Sequence, residues 1–179
     1  DSDPYLADHT FQGERLLPAV MGLEAMAQVA MALTGSTQPP DFEEIKFVRS
    51  VGIPDGQSIT MRVAALATAP NRVEVAVRSQ ETGFQIDHFR ASCSFGKQSA
   101  RIEDQTTRQS QEGIGLPPLP INPAEDLYGG ILFHKGRFRR LREYRQLRAT
   151  ECFAEIKPDE TSNWFGRYLP ATLLLGDPG

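Results

Sequence analysis

The stretch His9–Gln28, HTFQGERLLPAVMGLEAMAQ, decides how this chain is read. It sets His9, Gly13 and Pro18 at the spacing His-x3-Gly-x4-Pro, directly ahead of a run rich in Ala, Met and Leu. Those residues are strong helix formers. Pro18 near the first turn costs nothing, because the first N–H groups of a helix have no partner within it. Gly35 supplies a stop, so the pattern predicts a helix over Leu17–Leu33. The run is apolar on almost every side, which predicts a helix enclosed by protein.

Working outward, the texture becomes β from Glu43 onward. Lys46–Ile53, Ser58–Ala69, Arg72–Gln80 and Gln85–Phe95 are strand candidates rich in Val, Ile, Phe and Thr. Pro70-Asn71 and Thr82-Gly83 separate the last three at hairpin distance. One buried helix followed by antiparallel strands predicts an α+β fold, a sheet wrapped around the helix. Lys97–Pro123 then loses periodicity, polar as far as Gly113 and proline-rich from Leu116, and reads as a linker. Strand texture resumes in Phe138–Leu147 and Arg148–Ile156, and Trp164–Leu175 leads to the closing turn GDPG. The expected division is 1–96, a linker over 97–123, and a second part over 124–179.

Composition excludes more than it assigns. A net charge of -4 over 179 residues argues against a nucleic-acid surface. Cys93 and Cys152 lie far apart, each in a strand-like apolar context, which suits a reduced cytoplasmic protein better than a disulfide or zinc scaffold. The acidic start lacks a basic-then-apolar signal pattern. Pro18–Leu33 is interrupted by Glu24 and Gln28, so no membrane span is expected.

The segment DHTFQGERLLPAVMGLEAMAQVA resembles the first active-site motif of the hot-dog dehydratases, which remove water from β-hydroxyacyl thioesters on an acyl carrier protein. LYGGILFHKGRFRRL is similar to the motif that opens the second hot dog in double hot-dog dehydratase domains of polyketide synthases. WFGRYLPATLLLGDPG is similar to the approach to the second catalytic motif in iterative synthases of the enediyne type. The resemblance implies a double hot-dog fold whose second half is incomplete here. It implies His9 and Gly13 as catalytic residues, with Phe11, Leu17, Pro18, Tyr128, Phe133 and Gly136 as candidate substrate-binding positions. Asp177-Pro178 falls where the family has His-Pro, and the acidic partner is expected as an aspartate three residues beyond Gly179. The implied partners are an acyl carrier protein, bearing the substrate on its phosphopantetheine arm, neighbouring synthase domains, and a second copy in a homodimer. No metal and no diffusible cofactor is implied.

The residues suit that chemistry. Eliminating water needs a base for the α-proton, an acid for the hydroxyl, and donors for the charge that builds on the thioester oxygen. Histidine can take the proton near neutral pH. Gly13 lets its backbone N–H approach a ligand, and the helix N-terminus adds a favourable dipole. Glu24 is unusual, since a carboxylate on a buried helix must be paired or functional. In the stand-alone family the acid on this helix pairs with the neighbouring subunit's histidine. In double hot-dog domains that task passes to the second helix, so Glu24 is expected to face the pseudo-symmetric second site in a structural role.

His88, placed mid-strand, and His134, beside a glycine turn, read as structural or surface residues. The arginines of Lys135–Arg148 read as a solvated strand face rather than a carrier-docking patch, and Phe42, Phe84 and Phe95 as core. Two other functions stay open: a hot-dog thioesterase relying on a carboxylate, and a non-catalytic carrier-docking fragment.

Overall fold

The computed structural model describes residues 3–96, 115–157, 164 and 173–178. The described residues form two compact units, one of 3–96 with 164 and 173–178, the other of 115–157. Trp164 and 173–178 thus group with the first unit, whereas the sequence pattern places them in a second part running from 124 through 179. Residues 97–114 of the expected linker and most of Trp164–Leu175 lie outside the described residues.

In the first unit a short helix, α1 (Tyr5–Asp8), leads into β1 (Thr10–Phe11) and β2 (Glu14–Leu16). The long helix α2 (Ala19–Thr34) follows. It starts two residues later than expected. Pro18 is extended at ψ 137° and caps the helix, while Leu17 N–H is spent on Val51 O at 3.0 Å. Gly35 ends it in the left-handed conformation at φ 73°, where its N–H reaches Met31 O.

The strands β3 (Asp41–Phe47), β4 (Gly52–Ile53), β5 (Met61–Ala69), β6 (Arg72–Ser79) and β7 (Phe89–Ser94) complete this unit. They form a small sheet of order β1-β2-β4 and a larger one of order β3-β7-β6-β5, antiparallel at every pairing. Val73, Val75 and Val77 lie opposite Cys93, Ala91 and Phe89. All six are buried, and side chains two apart share a face. That face meets α2: a Cβ added to Gly22 would run into the Phe89 ring.

Several sequence expectations are corrected here. α2 is covered on its sheet side but leaves Val20 and Leu33 exposed, so it is not enclosed all round. Lys46–Ile53 is two elements, because β3 ends its pairing with β7 at Phe47 and β4 pairs with β2 in the other sheet. β7 begins only at Phe89: a tight turn over Gln80–Thr82 continues into Gly83 and Phe84, both at positive φ. His88 therefore lies at the mouth of the strand rather than within it. Phe42, Phe84 and Phe95 are half-buried rather than core. The Phe84 ring carries the Arg62 guanidinium 3.8 Å above its centre.

The two thiols differ. Cys93 is fully buried, and burial pushes its pKa up to about 11; Cys152 is exposed, not in an apolar setting. A thiol whose folded pKa is raised holds its proton more tightly than the unfolded chain does. Its contribution to stability is complete below about pH 9 and fades as pH rises towards 11. At neutral pH an aromatic disulfide reagent is expected to label Cys152 promptly and Cys93 only after denaturant is added, read by mass spectrometry. Rapid labelling of both in the native protein would contradict this packing.

The second unit holds a hairpin, β8 (Leu141–Leu147) and β9 (Cys152–Ile156). A one-turn helix over Pro123–Leu127 precedes it, capped by the Asn122 side chain, which accepts Ala124 N–H. The arginine run is not one solvated face. Arg142 and Arg145 both pair with Glu155, Arg145 also with Glu143, and Arg148 with Glu151. Hydrogen bonding from Arg145, helped by Arg142, holds the Glu155 carboxyl below its usual range. Arg140 is buried. Among the described residues no helix is long and apolar enough to cross a membrane.

Candidate functional site

His9 sits at the root of the β1–β2 hairpin. Its loop is the two residues Gln12 and Gly13, at φ 50° and φ 88°, since Phe11 pairs directly with Glu14. Two successive positive-φ residues make the hairpin turn whose twist matches that of the flanking strands. The glycine is needed there for a backbone reason, and its surroundings are open: a Cβ at Gly13 would meet nothing within 4 Å. The hairpin is closed at its base by Leu16 N–H donating to His9 O at 3.0 Å.

The imidazole is tied to the same hairpin. His9 Nδ1 lies 3.0 Å from Leu16 O. A carbonyl can only accept, so Nδ1 carries the hydrogen, and the neutral ring keeps its lone pair on Nε2. A ring in that tautomer is disposed to take a proton at Nε2.

His88 has the same tautomer and a different fate. Its Nδ1 donates to Ser50 O at 3.2 Å, and Ser79 Oγ donates to Nε2 at 2.9 Å. Both nitrogens are engaged inside a fully buried site, which makes His88 a crosslink between the β6 end, the start of β7 and the Ser50 loop. His134 stacks on Phe133 with centroids 4.4 Å apart, and burial lowers its pKa.

The sequence-predicted positions divide between the two units. His9, Phe11, Gly13, Leu17 and Pro18 share the hairpin and the start of α2. Leu17 and Pro18 are buried, whereas Phe11 is 45 % exposed. Tyr128, Phe133 and Gly136 belong to the second unit. There Leu141 N–H donates to the Tyr128 hydroxyl at 3.1 Å, Phe133 is half-buried, and Gly136 opens a single tight turn at φ 45°.

Two features escaped the sequence pattern. A groove of about 640 Å³ borders Gly13 and carries two ion pairs, Arg15–Asp55 at 3.0 Å and Arg49–Glu81 at 2.6 Å. The second feature is the setting of Glu24, which is only 3 % exposed. Its Oε1 accepts Leu174 N–H at 2.9 Å and the Gln28 side-chain amide at 2.8 Å, and its Oε2 accepts Leu175 N–H at 3.0 Å. Burial on α2 was a usable signal that Glu24 had partners. Their identity was not readable, because the distant donors are main-chain groups.

Residues 1–80 match the family model described as polyketide synthase dehydratase domain. No curated protein sequence matches the chain. Among solved structures it is similar to the dehydratase domain from the CurF module of the curacin polyketide synthase, with TM-score 0.64 and 17 % identity, covering 87 % of this chain and 56 % of that one. It is also similar to an inactive CurK dehydratase in which one histidine is replaced by phenylalanine, with TM-score 0.60 and 19 % identity, covering 78 % of this chain and 49 % of that one. A third is the bifunctional dehydratase-cyclase domain of ambruticin biosynthesis, with TM-score 0.57 and 19 % identity, covering 80 % and 52 %. The chain spans about half the length of these structures. Over residues 1–80 the chain therefore matches the polyketide synthase dehydratase domain model, and its antiparallel architecture is similar to that of the solved dehydratase domains.

Proposed function

We propose that this chain serves the dehydration of a β-hydroxyacyl thioester carried on the phosphopantetheine arm of an acyl carrier protein, within a polyketide synthase. The observation that carries the reading is the bond from His9 Nδ1 to Leu16 O, which leaves the basic lone pair on Nε2. His9 takes the α-proton at Nε2, and the freed electron pair forms the Cα–Cβ double bond. The β-hydroxyl leaves as water after receiving a proton from the acid. That acid is assigned, by resemblance, to an aspartate three residues beyond Gly179. The inactive CurK variants support a base-and-acid pair, since one lacks a histidine and another has an aspartate replaced by asparagine.

Gly13 N–H, at the open hairpin tip, steadies the thioester oxygen; one such donor is typically worth about 3 kcal/mol in the transition state. The resemblance of WFGRYLPATLLLGDPG supports the enediyne type of synthase, and neighbouring synthase domains and a second copy are the proposed assembly partners. A thioesterase is disfavoured, because its catalytic carboxylate would be Glu24, whose two oxygens already accept three hydrogen bonds. Incubating the intact protein with β-hydroxybutyryl pantetheine thioester and identifying the product by mass spectrometry is the test. Enoyl thioester is the expected product. Free acid would establish hydrolysis, and recovery of unchanged substrate would favour a docking role.

A further inference from the structure

We infer that the outer face of the larger sheet docks an acidic surface of the carrier protein, through a row of cations formed by Lys46, Arg90, Arg78 and Arg62. The inference rests on the proposed dehydratase reading, because it says where the carrier comes to rest.

The row follows from strand register. Phe89, Ala91 and Cys93 turn towards α2, so Arg90 turns away from it. Lys46 lies directly opposite Arg90, Arg90 opposite Ala76, and Arg78 opposite Arg62. Ala76 and Arg78 are two apart, so the four cations share the outer face and reach across β3, β7, β6 and β5. At about 4.8 Å between strands, the row runs roughly 14 Å. Lys46, Arg62 and Arg90 are exposed.

Like charges set directly opposite one another are destabilising, and the row holds two such pairs, Lys46–Arg90 and Arg62–Arg78. The second is relieved: Arg78 pairs with Asp87 at 2.6 Å, and Arg62 lies over the Phe84 ring at 3.8 Å. Lys46 and Arg90 have no ion-pair partner among the described residues, and Glu44, in the bulge of β3, pairs with neither. An incoming carboxylate surface supplies the missing countercharge. The row also lies at the end of the sheet that meets the groove bordering Gly13. Arg49 and Glu81, which line that groove, each follow a cation of the row by three residues.

Beside the cations this face shows Ala64 and Ala76 rather than large apolar side chains. Charge without apolar area gives fast, salt-sensitive association rather than lasting attachment. That suits the carrier, which comes and goes, better than a domain fixed in place. A second copy would bring the other end of the same face, but there Arg72 already bonds Glu43 and Glu74. The arginines of β8 are likewise spent on Glu143 and Glu155.

The test is fluorescence anisotropy of a labelled, phosphopantetheine-bearing acyl carrier protein titrated with the full chain. Binding is expected to weaken about 10-fold as salt rises from about 50 to about 300 mM. Lys46→Glu combined with Arg90→Glu is expected to weaken it about 10-fold at low salt. The same variant should lower, by a similar factor, the ratio of kcat/KM for carrier-borne β-hydroxybutyrate to that for the pantetheine thioester. If the double variant does not fold, Lys46→Gln and the salt dependence decide. Salt-independent binding, or affinity unchanged in the variants, overturns the docking row. Competition by a short DNA duplex of equal charge, or a dimer that the double variant dissolves, assigns the row to another partner and overturns it too. If neither substrate is turned over while binding stays salt-sensitive and is weakened in the variants, the dehydratase reading falls and the docking surface stands.

Discussion

Replacing His9 by alanine is expected to lower kcat for β-hydroxyacyl thioester dehydration by about 10²–10⁴-fold, the usual range for losing a general base. That corresponds to roughly 3–5 kcal/mol of barrier. Stability should change little. The bond it removes to Leu16 O is half-buried, and a bond of this kind is worth about 1 kcal/mol net. The hairpin keeps its strand pairing and its Gln12-Gly13 turn. The informative control is His88→Ala, which leaves the buried Ser79 hydroxyl without its partner and removes the bond to the Ser50 carbonyl. It is expected to lower the urea midpoint and to spare kcat in whatever protein stays folded. Turnover unaffected by His9→Ala would end the assignment of His9 as base.

The second large effect falls on stability, at Gly22. In an exposed helix alanine would beat glycine by about 1 kcal/mol. Here the added methyl would strike the Phe89 ring, which is 3 % exposed and already set edge-on to Phe47 with centroids 5.3 Å apart. The buried Phe89 ring must shift to admit it, so Gly22→Ala is expected to destabilise the fold by about 1–3 kcal/mol, the usual cost of overpacking a core. Urea denaturation should show a lower midpoint with an unchanged slope. Adding Phe89→Leu should restore part of the loss, because the two sites are in contact and their effects do not add. A midpoint equal to or above that of the unaltered protein would mean that α2 does not lie so close to the sheet.

How much of this was legible in the sequence follows from how local each determinant is. α2 was readable because its start and stop signals, Pro18 and Gly35, lie within the segment itself. The offset of two residues arose because Val51, far along the chain, claims the N–H of Leu17. The strands expected over Ser58–Ala69 and Arg72–Gln80 were readable from their richness in Val, Ile and Thr. The start of β7 was not, since the turn that delays it is settled by Phe84 adopting φ 60°, a conformation the sequence does not announce. In the site, His9 and Gly13 stood out because their spacing with Pro18 resembles a family motif, whereas the hairpin that joins them was not read from the sequence. The role of Glu24 was only half visible. Burial of a carboxylate demanded partners, but main-chain N–H groups leave no side-chain signature to search for.

The Glu24 contacts also bear on the order in which the protein can form. The carboxylate and its first donor, Leu174, are 150 residues apart. A ribosome adds roughly 5–20 residues per second, so α2 is made and out of the tunnel several seconds before its last partners exist. During that interval the Glu24 carboxyl and the neighbouring Val20 and Leu23 stand without the segment that later lies against them. The first unit thus stays without these contacts until Leu174 and Leu175 have been made. A nascent-chain pulse-labelling experiment should find α2 protected on its Phe89 side well before Glu24 is engaged.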